Sequence, residues 1–589
     1  MKYSTIPAIF FLIVLIQSCS KDKALDLTPK DQLTEATTFT SYANIQTYAW
    51  QFYEVFPGYL PGVPERDFNS DLFMKASPNS TSSWIWQRMI VPSSSTDWSG
   101  PYKNIRSINI MLDNLDNSGL GQTDKDHWKS VGYFFRAYNY ADLINKYGAV
   151  PLIEKALADT SKDLLFGPRT PRDTVARRML DQLLWAEQHI KPAGDGANTI
   201  NVNAVRAFIS RFGLTEGTWR KYHKLGGEDL YLRASATASQ SLMATFPTLN
   251  PNYDEEFNSV SLAGMPGIIL YKAYETNQTT HVLSSWARNS SGRFDLTKKA
   301  ADMYLMTDGQ TRWTSPLFAG DKTPYTEFRN RDRRLYYTVP PPFKVVSANP
   351  SATWTYTANP AEREYIDFMA TITDASHKSY PLNNWIGTIE IEEPHYLDDN
   401  KGQAFNITYS GYRMYKYSNK FSFLNFVDYT DAPIFRMGEV LVNYAEAKYE
   451  LSEFTQVIAD QTVNKLRDRG RVAPLNMGAV PNDPTRDAAI TPVLWEIRRE
   501  RAIELMGEGF RWDDLRRWKL MDYATQRKLG RWIKRSEVKT VPIQNNATEG
   551  YIDYEGQPPA SFPDSYYLFP IPSDQIVLNP KLVQNPGWK

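Results

Sequence analysis

Apolar positions along the chain recur with helical spacing in two separated blocks. In the first block, Ile45, Ala49, Phe52 and Phe56 share one stripe and predict a helix over 41–56. Trp128, Val131, Phe135 and Tyr138 predict a second helix over 126–147, stopped by Gly148 and Pro151. A third spans 173–190 and ends at Lys191-Pro192. A fourth is capped by Asn203 and turns Val205, Phe208, Ile209 and Phe212 inward. Gly226-Gly227 makes the turn to a fifth, Ala-rich helix over 229–245, stopped by Pro247. Between the first two helices, residues 57–100 are rich in Pro, Ser, Asn and Gly and read as a long loop region.

From about 247 to 432 the helical period fails. Pro340-Pro341-Pro342 breaks any regular element, a short helix is expected near 298–305, and the alternation over 412–417 reads as a strand. Helical spacing returns at 433–451, where Met437, Val440, Leu441, Tyr444 and Lys448 form one face, and again at about 455–469 and 486–506. The expected fold is mainly α. Tetratricopeptide-like helical pairs form a scaffold, and an irregular lobe of loops, short helices and small β-hairpins is inserted into it. The helix starts do not repeat at a strict 34 residues, so the repeat is degenerate.

The N-terminus carries different chemistry. Lys2 precedes an eleven-residue apolar run, Ile6–Ile16. As a helix this is too short for the roughly 30 Å hydrocarbon core of a bilayer, but it suits a signal peptide. The run leads into Ile16-Gln17-Ser18-Cys19, which resembles the lipobox of bacterial lipoproteins. Cleavage would leave Cys19 as the first mature residue, to be acylated by palmitate-like chains. Each buried methylene contributes about 0.8 kcal/mol, so two or three chains anchor stably. Residues 20–40 are polar and read as a tether.

Composition narrows the function. The 589 residues hold 66 Lys+Arg and 66 Asp+Glu, so a basic footprint for nucleic acid is absent. Cys19 is the one cysteine, which excludes an internal disulfide framework, a cysteine metal site and thiol catalysis once it is lipidated. The six histidines form no HxxxH or HExxH pair, and neither a Gly-x-Ser-x-Gly elbow nor a Walker loop is present. No cofactor and no metal are expected. Aromatic residues, by contrast, make up 13% of the chain, enough to supply stacking platforms as well as cores.

Glu496, Glu500, Glu504 and Glu508 recur every four residues on one helix face. Paired carboxylates can perform acid–base work on a glycoside. Like charges at this spacing also repel by about 0.2–0.5 kcal/mol per pair and need cationic partners. Arg499 and Arg501 can reach Glu496 and Glu504, and Arg511, Arg516 and Arg517 can return across the Gly507–Gly509 turn. An ion-pair network therefore explains the run without catalysis, and no catalytic residue is assigned.

Several segments, in order, resemble the SusD/RagB family of nutrient-binding outer-membrane lipoproteins. They are Tyr102-Lys103-Asn104-Ile105-Arg106 leading to Asn109, Phe134-Phe135-Arg136-Ala137-Tyr138 running on to Tyr147-Gly148-Ala149-Val150-Pro151-Leu152, and Arg436-Met437-Gly438-Glu439 with Tyr444-Ala445-Glu446-Ala447. The sharpest runs from Arg498-Arg499-Glu500-Arg501 through Glu508-Gly509-Phe510-Arg511-Trp512-Asp513-Asp514 to Trp518. The C-terminal Pro570-Ile571-Pro572, Leu578-Asn579-Pro580 and Gln584-Asn585-Pro586-Gly587 complete the set. The resemblance divides the chain into a signal peptide (1–18), a lipidated N-terminus and tether (19–40), an N-terminal helical region (41–246), an irregular ligand-binding lobe (247–432) and a C-terminal helical region (433–589).

The resemblance further implies a protein outside the cell, lipid-anchored in the outer membrane. It would bind oligosaccharide and deliver it to a SusC-like TonB-dependent transporter without chemistry. A peptide-binding RagB-like protein is the alternative, and a secreted glycoside hydrolase or a helical adaptor stands further off. No ligand residue carries over by motif, because the family's binding loops vary in length. Candidates come from loop aromatics that can cover a sugar's C–H face: Trp84, Trp86 and Trp98 in the first loop region, and Trp286, Trp313 and Tyr325 in the lobe. Arg66, Asn69 and Asp71 are rim groups for its hydroxyls.

Overall fold

The computed structural model describes residues 38–59, 64–75, 82–158, 160–284, 294–342, 345–347, 354–373, 377, 408–421, 427–538 and 540–589. Cys19, residues 20–37 of the expected tether and Trp286 lie outside these residues, while Thr38 and Phe39 at the end of that stretch are buried rather than free.

The N-terminal block is a run of helices: α1 (Tyr42–Ala49), α2 (Thr96–Leu115), α3 (Gln122–Tyr147), α4 (Arg172–His189), α5 (Val202–Tyr222) and α6 (Glu228–Thr245). Neighbours in sequence pack on one another, α2 on α3, α3 on α4, α4 on α5 and α5 on α6, which is the tetratricopeptide-like arrangement. Helix α5 begins at Asn201 rather than Asn203, because the Asn201 side chain accepts from the backbone N–H groups of Asn203 and Ala204. Helices α5 and α6 approach closely through small residues. A Cβ on Gly213 would lie 2.5 Å from the Tyr231 carbonyl oxygen, and Ser210 and Ser239 hydrogen-bond across the contact at 2.8 Å.

Helix α2 replaces the end of the expected loop region. The loop region expected over 57–100 gives way to helix from Thr96, because Ser95 caps it there and Pro101 is accommodated within it. Trp98 is therefore a helical core residue, packed against Tyr147 with ring centres 4.9 Å apart.

In the lobe, helix α7 (Lys298–Met303) forms where a short helix is expected. Among the described residues, the strands form four two-stranded antiparallel sheets. One pairs Ile268–Lys272 with Ala432–Arg436, so the lobe's entry and exit are held side by side. The expected strand over 412–417 is only an isolated bridge at Arg413. Its alternation does not separate a wet face from a dry one, since Tyr412, Met414 and Tyr417 are buried and so is Lys416. Lys416 is held by Glu508 at 2.7 Å, and burial nevertheless pulls its amine down to about 8.

The chain then re-enters the helical scaffold. Residues 432–436 are strand, and helix α8 (Met437–Glu450) begins only after Arg436. Helix α8 packs on α5 and α6. The segment 455–469 splits at Thr462 into α9 (Gln456–Gln461) and α10 (Val463–Arg469). Helix α11 (Pro492–Glu504) packs on α8, and α12 (Arg511–Arg517) packs on α5. Gly507 and Gly509, with φ of 79° and 81°, make the reversal between α11 and α12.

Glu496, Glu500 and Glu504 are buried, Glu508 is half-buried, and all four are engaged by cations. Glu496 meets Arg467 at 2.7 Å and Arg499 at 3.1 Å. Glu500 meets Arg334 at 2.6 Å, and Glu504 meets Arg436 and Arg469 at 2.5 Å each. Glu508 meets Arg436 at 2.6 Å. Most of these cations come from the lobe, the β-ribbon and α10, not from the following helix. Arg501 pairs instead with Asp514, Arg511 with Asp71, Arg516 with Asp513, and Arg517 with Glu446. Burial raises the Glu500 carboxyl. At Glu504 burial also acts upward, but Arg469, Arg436 and Arg334 outweigh it and hold the carboxyl below its usual range.

Candidate functional site

A cleft of about 430 Å³ opens where α7, the loop before α11, and the segment after α12 meet. Trp313, Trp495 and Tyr523 contribute aromatic rings to its lining. Trp313 is 48% exposed, an unusual state for an indole, which costs roughly 25 cal/mol per Å² of apolar surface left in water.

The Trp313 ring is held from behind. The Arg312 guanidinium lies 4.3 Å from its centre and 4.5 Å from that of Phe318. Arg312 is fixed by Asp302 and Asp321, each at 2.6 Å, and Tyr551 donates to Asp321 at 2.8 Å. The other two rings are tied to carboxylates at the rim. The Trp495 indole N–H donates to Asp483 at 2.8 Å, and the Tyr523 hydroxyl donates to Asp487 at 2.8 Å. Lys299 lies 4.7 Å over the Tyr523 ring. Fixed rings beside ionised oxygens and amines suit a sugar, whose C–H face stacks and whose hydroxyls bond at the edge.

Asp71 sits in the wall of this cleft, receiving Arg511 Nε at 2.8 Å, Arg511 Nη2 at 2.9 Å and Lys299 Nζ at 2.9 Å. Burial alone would raise its carboxyl, but Arg511 and Lys299 prevail and hold it below the usual carboxylate range. The cleft thus unites two of the sequence candidates, Trp313 and Asp71.

The remaining candidates lie elsewhere. Trp84 is buried among Trp512, Tyr566, Phe569 and Trp588, with the Phe569 ring centre 4.6 Å away. Trp86 is half-buried beside the same cluster, with Arg88 5.1 Å from its ring. Trp98 lines a third, apolar cleft together with Phe166 and Leu578. Tyr325 packs on Tyr365 at 6.0 Å. Asn69 accepts a hydrogen bond from the Ser82 hydroxyl at 2.5 Å. Arg66 is exposed at a separate cleft of about 440 Å³ that also includes Tyr138 and Arg211.

Trp495, Tyr523 and Lys299 escaped the sequence reading. Trp495 lies on a helix whose pattern speaks for scaffold, and Tyr523 lies in a short irregular turn. Spacing along the chain marks neither ring, because the carboxylate partners of Trp495 and Tyr523, Asp483 and Asp487, lie 12 and 36 residues away.

No group of His, Cys, Asp and Glu among the described residues is arranged to hold a metal ion. No described helix is long and apolar enough to cross a membrane.

Residues 267–588 match the family model described as "SusD family". The chain belongs to the SusD family. Residues 24–214 also match a model described as "Starch-binding associating with outer membrane". Solved SusD-family structures share the fold over nearly the whole chain. A SusD-like protein from Bacteroides fragilis is 18% identical, with a TM-score of 0.67, covering 95% of this chain and 100% of its own. A SusD-like carbohydrate-binding protein from the same organism is 21% identical, with a TM-score of 0.66, covering 93% and 100%. A laminarin-binding SusD-like protein is 15% identical, with a TM-score of 0.52 and the same coverage. No curated protein matches the chain. In this SusD-family member the Trp313 cleft is formed by the lobe and the C-terminal helices together, within the span of the SusD match apart from Asp71.

Proposed function

We propose that this chain is an outer-membrane lipoprotein, facing outward, that binds an oligosaccharide nutrient in the Trp313 cleft. It then delivers the nutrient to a SusC-like TonB-dependent transporter. The observation that carries the binding reading is Trp313 itself, an indole half in solvent and backed by a fixed guanidinium. Holding that ring exposed serves stacking better than it serves the core. The SusD match and the carbohydrate-binding solved relatives support a glycan over other ligands.

Cys19 anchors the chain in this reading, and the polar tether lets it swing at the barrel mouth. Tethering keeps captured ligand at high effective concentration beside the pore. Binding is modest, because an open cleft buries little area and sugar hydroxyls must give up water. No covalent step takes place: the buried glutamates that could have served catalysis are spent on arginines.

Isothermal titration of the soluble chain against neutral and acidic oligosaccharides, with peptides as controls, tests the binding. Glycan binding that Trp313→Ala removes supports the reading. Binding of peptides alone moves the chain to the peptide branch, and release of reducing sugar makes it a hydrolase. Membrane fractionation of Cys19→Ala tests the anchor, which requires that variant to leave the membrane fraction.

A further inference from the structure

The chain as a whole has no net charge, but the Trp313 cleft is lined by seven Lys and Arg side chains against four aspartates. Two places show how the excess arises. Asp71 is one carboxylate shared by two cations, Arg511 and Lys299. Lys299 is a third exposed, so its ammonium reaches the cleft's solvent. Glu450 is likewise one carboxylate between two cations. It takes Lys221 at 2.8 Å and the Tyr222 hydroxyl at 2.6 Å, leaving Arg498 at 3.7 Å.

Of Lys299 and Arg498, Arg498 is the less satisfied. It is only 5% exposed and is clamped between Trp518, at 4.3 Å, and Tyr222, at 5.0 Å. Its Nε and Nη2 are buried and have no hydrogen-bond partner. Held only by a carboxylate at 3.7 Å, the guanidinium keeps much of its positive charge unmatched at the cleft wall, and a carboxylate or sulfate in the cleft would offset it. The aspartates do not offset the cleft evenly. Asp483 is already matched to Arg499, and Asp302 to Lys298 and Arg312, while Asp487 at the rim accepts from the Tyr523 hydroxyl and the Ala489 N–H.

We propose that the Trp313 cleft takes an anionic oligosaccharide, carrying carboxylate or sulfate groups, with Arg498 and Lys299 meeting the negative charge. This rests on the reading of the cleft as the ligand site and names the class of glycan it takes. The rings supply stacking that any sugar can use, and the surplus cations select the acidic one.

The test is isothermal titration of the full soluble chain with three sets of tetrasaccharides: uronic-acid, sulfated and neutral. Each is run at about 50 mM and about 500 mM NaCl, which shortens the screening length severalfold. The expected result is an affinity for acidic sugars at least about tenfold above that for neutral ones, weakening severalfold in high salt. The uronic and sulfated sets say which anion is preferred. Lys299→Gln, at a partly exposed position, should cut the acidic-to-neutral ratio severalfold, and Arg498→Gln should cut it further. Salt dependence in the unaltered chain gives an answer even where Arg498→Gln fails to fold. Equal or better binding of neutral sugars without salt dependence overturns this inference while leaving a glycan-binding cleft. Binding of no glycan in any set overturns both.

Discussion

The Arg312 guanidinium lies 4.3 Å from the centre of the Trp313 ring, and two half-buried aspartates, Asp302 and Asp321, hold it there. Arg312 thus fixes one face of the indole while nearly half of the residue remains in solvent. Trp313→Ala is expected to weaken glycan binding by about tenfold, since contacts to an aromatic face are worth about 0.5–1.5 kcal/mol beyond the area they bury. The melting temperature should change little, because an exposed ring contributes little to the core. Titration and a thermal scan on the same preparation check both halves.

Arg312→Ala should differ in kind. It leaves Asp302 and Asp321 with one fewer cation and unpins the indole, so stability and binding should fall together. Removing one partner of a buried ion pair costs about 3–5 kcal/mol, and urea unfolding measures it.

The glutamate run gives a second stability test. Arg334 is 1% exposed and reaches Asp332, Glu500 and Glu504 at once. Arg334→Ala should destabilise the chain by about 3–5 kcal/mol. A neutral result in urea would show that the network is not the fastener between lobe and scaffold described above.

Acid should loosen the fold through three histidines kept neutral by burial. His127 and His223 are each pulled down to about 4 and His281 to about 3. The unfolded chain binds their protons near 6.5, so between that pH and about 4 it holds more protons than the folded chain. The histidines' share of the stability is therefore full above about pH 6.5 and falls as pH drops toward 4, by up to about 2–3 kcal/mol per histidine, while Asp67 and Glu327, each pushed up to about 7 by burial, act in the opposite sense. His281→Asn should flatten part of this slope in melting temperatures taken from pH 7.5 to pH 4.5, a window chosen from these values.

Gly213 tests the tight seam between α5 and α6. A Cβ there meets the Tyr231 carbonyl oxygen at 2.5 Å and the Ser235 nitrogen at 2.9 Å, both backbone atoms with little room to move. Gly213→Ala should cost about 1–3 kcal/mol despite the better helix propensity of alanine.

The scaffold was largely legible because its helices bury one stripe each. Trp128, Val131 and Phe135 are buried on α3 as their spacing requires. Helix α2 was hidden by Gly100-Pro101, a pair that local rules assign to a turn but that the Ser95 cap and burial of Trp98 override. The partners of the glutamate run were illegible for another reason. Arg334, Arg436 and Arg469 are far from it in sequence, so only the folded lobe brings them near. The candidate site divides in the same way. Trp313 could be named because a lobe tryptophan invites stacking, whereas Trp84, equally conspicuous, packs into a cluster made by the C-terminal residues Tyr566, Phe569 and Trp588. Spacing along a loop does not reveal which ring the distant C-terminus will cover.

A crystal structure of the chain soaked with its tightest-binding oligosaccharide tests the central claim most directly. The account predicts a sugar ring lying flat on the open face of Trp313, with its hydroxyls at Asp487. Sugar bound instead at the Arg66 cleft, with the Trp313 cleft holding only water, would contradict it.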